Sequence, residues 1–550
     1  MITRAETLFT WLTAAIYTAV LALAAHLLGV LGIARNDDWS FLENAFRFHE
    51  TGIFAVGGWV QMNLIGQLVL AAPFVSAFGD SITALQLLGL AFTGIAVAAT
   101  YFLARSFLPQ RFAITIAATT AASPVLLVIS ASFMTDSFAL AGQVGALVLA
   151  AYAMSKRGWS CWVMWWLAIA VSLWAFSVRE FSAITIGAIA LFALVTTALP
   201  RWQRIASIAV LVSGTSAIAY WRTLQVTETP STLLFDLDRY VYLAALPITL
   251  GVLTLPVIAW IRPIPLLRGF DRTRWILLAV SMIVIASLIA AGGVFIAGNY
   301  FQQVPAYSSV IPGTPEGIYP LWLWGVIVAL GVIAALCAVV VLTDLVISRG
   351  VPTFRRVREW SRNPGLFLAA AYSVGSALAL VAAPFLFGIP VFDRYLLGLV
   401  AVAPGPLLWW ADKRGSVRQG ALLPVVSWIF LLFVGLIAVI AAGRLDSARW
   451  AMAEEIHRTQ SIPRGNIDGG FDWYRFHTEG IPRPEAWPPR YTWWSLDDNR
   501  AVCVTITYEQ PPPPGIATFP DDSVPTLLER SVRLPLSTQV LVAKQGPDAC

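Results

Sequence analysis

Two adjacent carboxylates, Asp37 and Asp38, sit in Arg35-Asn36-Asp37-Asp38-Trp39, where the first long apolar run of the chain ends. A carboxylate held within hydrogen-bond reach of a hydroxyl can take its proton as a general base. A further acid, Asp136, stands in Ser132-Phe133-Met134-Thr135-Asp136-Ser137-Phe138. Arg179-Glu180 and Asp393-Arg394-Tyr395 occupy other boundaries of apolar runs. Arginine stays charged and grips phosphate through two parallel hydrogen bonds. Acids beside arginines therefore point to group transfer from a phosphate-bearing, membrane-borne donor.

Each signal has an ordinary alternative. Asp136 reads equally as a helix N-cap, Arg179-Glu180 as an interfacial ion pair, and Asp393-Arg394-Tyr395 as a snorkelling anchor. For Asp37 and Asp38 capping is the weaker reading, because Ser40 and Glu43 supply an S-x-x-E capping box of their own. Trp39, Leu42 and Phe46, flanked by Phe41, Ala45 and Phe48, recur at helical spacing and predict an amphipathic helix along the membrane surface. His49, late in that helix, is a candidate substrate contact together with Asp38, Arg179, Glu180, Arg394 and Tyr395.

The elements that must position these residues are membrane spans. The 550 residues are 58% hydrophobic and 12% charged, with a mean hydropathy of +0.73, whereas soluble domains carry roughly 25% charged residues. Thirteen spans are predicted, near residues 10–33, 82–103, 112–130, 138–154, 161–177, 181–199, 205–221, 240–261, 275–298, 319–347, 366–387, 395–411 and 421–443. The first is read as an uncleaved span, being too long for a signal-peptide core. With the N-terminus inside, nineteen Lys and Arg fall in inner loops against six in outer loops before residue 444, which satisfies the positive-inside rule. The apolar stretch 62–78 holds Asn63, Gln67 and Pro73. Counting it as a span would put the basic loops outside, so it reads as an interfacial or re-entrant segment. The outer loops hold twelve acids and the inner loops five, so acidic chemistry belongs to the outer face.

The domain organisation that follows is a transmembrane unit, 1–443, with an outer juxtamembrane loop at 34–81, and a polar extracytoplasmic tail, 444–550. In the tail, alternating stretches at 501–508 and 539–543 read as strands around a Pro-rich break at 510–515. An oxidising outer compartment would permit a Cys503–Cys550 disulfide. Cys161 and Cys337 lie in apolar runs, and no Cys or His spacing suggests a zinc site. The net charge of +5 is accounted for by topology, not by nucleic-acid binding. Neither GxxxxGK[ST] nor a GxGxxG opening a soluble helix is present, so no nucleotide site is visible. Uncharged span centres weigh against a transporter or flippase of a lipid-linked sugar, and the one-sided clustering of acids and arginines weighs against a non-catalytic scaffold.

Asp37-Asp38 after the first span, Phe133-Met134-Thr135-Asp136 before the fourth, and Asp393-Arg394-Tyr395-Leu396-Leu397 near the last spans resemble the GT-C membrane glycosyltransferases. The nearest likeness is to the protein O-mannosyltransferase and lipid A aminoarabinose transferase group. Asn466-Ile467-Asp468-Gly469-Gly470-Phe471-Asp472-Trp473 is similar to an element of that group. Where the family usually has Asp-Glu followed by Tyr, this chain has Asp-Asp-Trp. The resemblance implies a GT-C type α-helical polytopic membrane protein of about thirteen transmembrane helices with a small α/β extracytoplasmic C-terminal domain. It implies a polyprenyl-phosphate sugar as donor and a glycolipid, polysaccharide or protein as acceptor, at the outer face of the cytoplasmic membrane, with inversion at the anomeric carbon. Asp37 would then be the general base and Asp136 its support or the orienter of sugar or acceptor. Arg179 and Arg394 would hold the leaving phosphate, assisted by Tyr395. No cofactor, no metal and no nucleic-acid partner is expected, although acidic loops would permit a divalent ion.

Overall fold

In the computed structural model, the described residues are 3–56, 60, 62–225, 237–292, 295–306, 311–349, 361–387, 391–478, 502–510 and 524–546. The helices of the first half are α1 (Arg4–Leu27), α2 (Asp38–Thr51), α3 (Ile65–Phe78), α4 (Ile82–Arg105), α5 (Gln110–Ala121), α6 (Pro124–Ser130), α7 (Thr135–Ala153), α8 (Trp159–Val178), α9 (Ala183–Val195) and α10 (Arg201–Thr223). The second half has α11 (Leu237–Leu253), α12 (Leu255–Ile258), α13 (Pro263–Leu267), α14 (Arg272–Gly292), α15 (Leu321–Arg349), α16 (Pro364–Phe387), α17 (Leu397–Val402), α18 (Pro404–Lys413), α19 (Leu422–Gln460) and α20 (Phe471–Thr478).

Among the described residues, nine helices are long and apolar enough to cross a membrane, or ten if the bent pair α5–α6 counts as one span. Their outward faces are apolar: Leu8, Leu12, Ile16, Val20, Leu23 and Leu27 of α1 are all exposed. Such a stripe at helical spacing is stable only against lipid or another apolar surface. The chain is a multi-pass membrane protein.

The stretch 112–130, expected as one span, is built from two helices meeting at 55°. Pro124 explains the break. It has no N–H to continue the ladder, and its ring drives Ser123 out of the helical region to φ −58°, ψ 122°. The last span, expected to end near residue 443, continues as α19 to Gln460, 39 residues in all. At 1.5 Å per residue that is about 58 Å, well beyond a hydrocarbon core of about 30 Å. Its C-terminal half therefore projects from the membrane and carries Asp446 and Arg449 into the tail.

The tail's strands are β1 (Ile467–Asp468), β2 (Val504–Tyr508), β3 (Thr526–Arg533) and β4 (Thr538–Gln545), in the order β1-β2-β4-β3. β1 and β2 are parallel and the other pairs antiparallel. β2 and β4 fall on the two stretches whose alternation predicts strands. Cys503 is disulfide-bonded; Cys550 and most of the 510–515 break lie outside the described residues.

The stretch 62–78 holds α3, 14 residues long, packed against α2, α4 and α8. The polar residues that complicate its reading in the sequence are structural ties. Asn63 Nδ2 donates to Phe176 O at 2.7 Å, and Gln67 Nε2 donates to Phe133 O at 2.9 Å. They fix the end of α8 and the turn before α7, the two places from which Arg179 and Asp136 project.

Candidate active site at the converging helix ends

The chain enters α2 through Asn36, whose φ of +52° suits the left-handed tolerance of asparagine. Asn36 Nδ2 donates to Tyr300 Oη at 2.8 Å. The capping box expected from Ser40 and Glu43 is absent. Asp37 is the N-cap residue of α2 and makes no side-chain cap bond, while the Ser40 hydroxyl donates back to Asp37 O at 2.8 Å. The helix starts three residues too early for Ser40 to cap it. The Asp37 carboxylate faces Arg394 instead, with Oδ2 3.5 Å from Nη1, and keeps a 19% exposed side chain.

Arg394 lies in the 3₁₀ turn Asp393–Leu396 that leads into α17. It does not snorkel outward: the residue is 8% exposed. Nη1 also donates to Tyr300 Oη at 2.9 Å, while Nε is buried without a hydrogen-bond partner. Neighbouring Asp393 is fully buried, and its Oδ2 accepts three consecutive backbone N–H groups, from Asn299, Tyr300 and Phe301, at 3.1, 2.9 and 2.6 Å. It secures the loop that delivers Tyr300.

Arg179 caps the C-terminus of α8 in an extended conformation, φ −154° and ψ 134°, which swings it towards the first turn of α7. There Nη1 is 2.6 Å from Asp136 Oδ2 and donates to Thr135 Oγ1 at 2.9 Å. Arg179 and Arg394 both lie against Tyr395, their guanidinium carbons 5.3 and 5.5 Å from its ring centroid, while Phe181 packs on the same ring with centroids 4.6 Å apart. Two Asp–Arg pairs thus flank one aromatic ring. Asp136, Arg179, Arg394 and Tyr395 line one narrow cleft together with Phe181, Gln143, Tyr372, Ser376 and apolar residues of α7, α9 and α16, and Asp37 reaches it through Arg394.

Five of the eight sequence-derived candidates therefore meet: Asp37, Asp136, Arg179, Arg394 and Tyr395. Asp38 faces the other way. It is fully buried, Oδ1 accepting from Arg35 N and Oδ2 from Phe133 N at 3.1 Å. Burial pushes its carboxyl up to about 8, against the two amide hydrogen bonds and the Arg35 charge. Glu180, at the joint between α8 and α9, is not among the cleft's lining residues. Burial pushes it up to about 7 against its own amide, the charges of Arg179 and Arg222, and the Asn63 amide. His49 is exposed, 3.3 Å from Ser76 Oγ, some 18 Å along α2 from Asp37 by helix rise. Among the described residues, no three His, Cys, Asp or Glu side chains group as metal ligands would.

Sequence reading missed Tyr300, Gln143 and Tyr372. A tyrosine in a loop and a glutamine inside an apolar helix carry no distinguishing pattern. It also missed a buried ladder behind the site. Arg35 Nε pairs with Asp446 Oδ2 at 2.8 Å, Asp446 Oδ1 lies 3.6 Å from Arg449 Nη2, and Arg449 holds Asp472 bidentately at 2.5 and 2.6 Å. With Asp38 on the Arg35 amide, five ionisable residues, none more than 1% exposed, join the entry to α2, α19 and α20.

No family model matches the chain, and no curated protein matches it. Among solved structures it is similar to ArnT from Cupriavidus metallidurans, bound to undecaprenyl phosphate. The identity is 16% and the TM-score 0.39, over 85% of this chain and 84% of that one. It is also similar to the archaeal oligosaccharyltransferase AglB from Archaeoglobus fulgidus, in complex with an inhibitory peptide and a dolichol-phosphate. There the identity is 14% and the TM-score 0.38, over 88% of this chain and 62% of that one.

Proposed function

We propose that this protein is a GT-C type glycosyltransferase that moves a sugar from a polyprenyl-phosphate donor to an acceptor hydroxyl at the extracytoplasmic face of the cytoplasmic membrane. The observation that carries this reading is the pair of Asp–Arg couples around Tyr395 at one cleft. A buried guanidinium is stabilised by an anion placed against it. Arg394 has a carboxylate only at 3.5 Å and an unused Nε, which leaves hydrogen-bonding capacity for the donor's singly charged phosphodiester and for the second charge that the phosphate gains as the glycosyl bond breaks.

The proposed reaction is a single displacement. The acceptor oxygen attacks the anomeric carbon while Asp37 takes its proton, and the bond from that carbon to the phosphate oxygen breaks with its electron pair leaving on the phosphate. Arg394 and Arg179 stabilise the charge that grows there, as preorganised cations do in a water-poor site. Attack opposite the leaving group inverts the centre. Before the donor arrives, Arg394 holds Asp37. Phosphate binding draws the guanidinium away and frees the carboxylate to act as base, so the donor binds before the acceptor is activated. Asp136 keeps Arg179 in place and orients sugar or acceptor. No step is assigned to a metal, to Glu180 or to His49.

The test is incubation of the purified protein, in nanodiscs, with a panel of polyprenyl-phosphate hexoses and pentoses and with candidate acceptors. Release of polyprenyl phosphate and a product of inverted anomeric configuration are expected. Movement of intact sugar-lipid across vesicles without a new glycosidic bond would establish a transporter instead.

A further inference from the structure

Past the two ion pairs, the cleft holds a second polar group that the proposed chemistry does not use. Gln143 lies on α7 two turns after Asp136, and Tyr372 and Ser376 lie one turn apart on α16. All three line the cleft. They are deeply buried, at 6%, 2% and 4% exposure. Tyr372 Oη donates to Gln143 Oε1 at 2.6 Å, and Gln143 Nε2 donates to Ser182 Oγ at 2.9 Å. Ser376 Oγ, beside the Tyr372 phenol, is buried without an aligned hydrogen bond.

The remaining hydrogen-bonding capacity is specific. Gln143 keeps one amide N–H, and the Tyr372 oxygen, whose proton is committed, and the Ser376 hydroxyl, close enough to interact with each other, keep further lone pairs and one poorly aligned O–H between them. A phosphate would need donors only and would meet the Tyr372 oxygen lone pair against lone pair. An isoprenoid chain would leave all three groups facing hydrocarbon, a costly arrangement for buried polar atoms. A ring bearing hydroxyls satisfies donor, acceptor and hydroxyl together. Only Asp136, Arg179 and Arg394 carry charge among the lining residues; with the donor bound, both arginines face its phosphate and Asp136 stays paired with Arg179. A uronate or amino sugar would bring a charge with nothing opposite it.

We propose that Gln143, Tyr372 and Ser376 form the subsite that reads the hydroxyls of a neutral sugar, placed beyond the arginines that take the phosphate. This inference rests on the glycosyltransferase reading above. It makes Tyr372 and Ser376 determinants of donor specificity.

The experiment uses the full-length protein, with Ser376→Ala as the smallest change and Tyr372→Phe as the second, each checked for a monodisperse fold. kcat/KM is measured for the preferred polyprenyl-phosphate sugar and for analogues lacking one hydroxyl, beside inhibition by sugar-free polyprenyl phosphate. A site that hydrogen-bonds a hydroxyl discriminates strongly against its absence. The expected result is that each variant reduces discrimination for one deoxy analogue by about tenfold or more, chiefly through KM, while inhibition by sugar-free lipid phosphate stays within about twofold. Unchanged discrimination in both variants overturns the inference while leaving the parent reading intact. Equal losses for sugar-bearing and sugar-free lipid also overturn it, and assign the pocket to the lipid. If the wild type turns over no donor, the parent reading fails. The subsite is then judged by saturation-transfer NMR with free methyl hexosides and pentosides: binding to the wild type and not to the variants supports it, and no binding overturns it.

Discussion

Asp37 holds the N-cap position of α2 and leaves the cap unused, its carboxylate turned to Arg394 and partly open to solvent. A base must be reachable by the acceptor, and of the adjacent pair only Asp37 is. Arg394 joins Asp37, Tyr300 and the face of Tyr395 through one planar group. Lysine cannot reproduce that geometry. Arg394→Lys is expected to weaken inhibition by sugar-free polyprenyl phosphate by about tenfold or more, equivalent to at least ~1.4 kcal/mol. Asp38 has a different signature. Its carboxyl is raised in the folded state to about 8 by burial, so the folded protein retains a proton that the unfolded chain releases near its ordinary value. The associated stability is present at low pH and is lost as pH rises towards 8. Denaturant midpoints from pH 5 to pH 8.5 should fall more steeply for the wild type than for Asp38→Asn, which has no such proton. Parallel slopes would refute the assignment.

At the scale of elements, the site depends on parts that never touch it. α3 holds the turn before α7 and the end of α8 through Gln67 and Asn63. The ladder from Asp38 through Arg35, Asp446 and Arg449 to Asp472 fixes the entry to α2 against α19 and α20. Removing one member strands a buried charge, which typically costs about 3–5 kcal/mol, whereas replacing a whole buried pair by apolar residues of similar size is often neutral. Arg449→Met is therefore expected to destabilise the fold by about that amount in a denaturant titration. Arg449→Met with Asp472→Leu should recover a large part of the loss. A single substitution costing under about 1 kcal/mol would show that the ladder does not hold these elements together.

Over the whole molecule, patterns of one dimension were legible and contacts of three were not. Hydropathy marks the spans, and the charge of the loops puts Asp37, Asp136, Arg179 and Arg394 on one face, where the structure brings them together. The break at Pro124 was readable in principle, since proline removes a ladder donor. Two things were hidden. The capping box at Ser40 and Glu43 is a local pattern overridden by the actual start of the helix at Asp38. The partners of Arg35 and Arg394 come from 411 and 357 residues away in sequence, and no local periodicity encodes such a meeting. Asp393 shows the same limit: its three backbone donors lie over 90 residues upstream, so beside Arg394 it resembles a surface anchor until the fold is in view.

The central claim is that Asp37 is the base in transfer from a lipid phosphate, and Asp37→Asn tests it most directly. The variant keeps the shape of the side chain and removes its ability to take a proton. Turnover and affinity for sugar-free polyprenyl phosphate are measured on the same folded preparation. The account predicts a fall in kcat of about 10²–10⁴, with the midpoint of thermal unfolding and the lipid-phosphate affinity close to wild type. Near-wild-type turnover in a folded variant would contradict it.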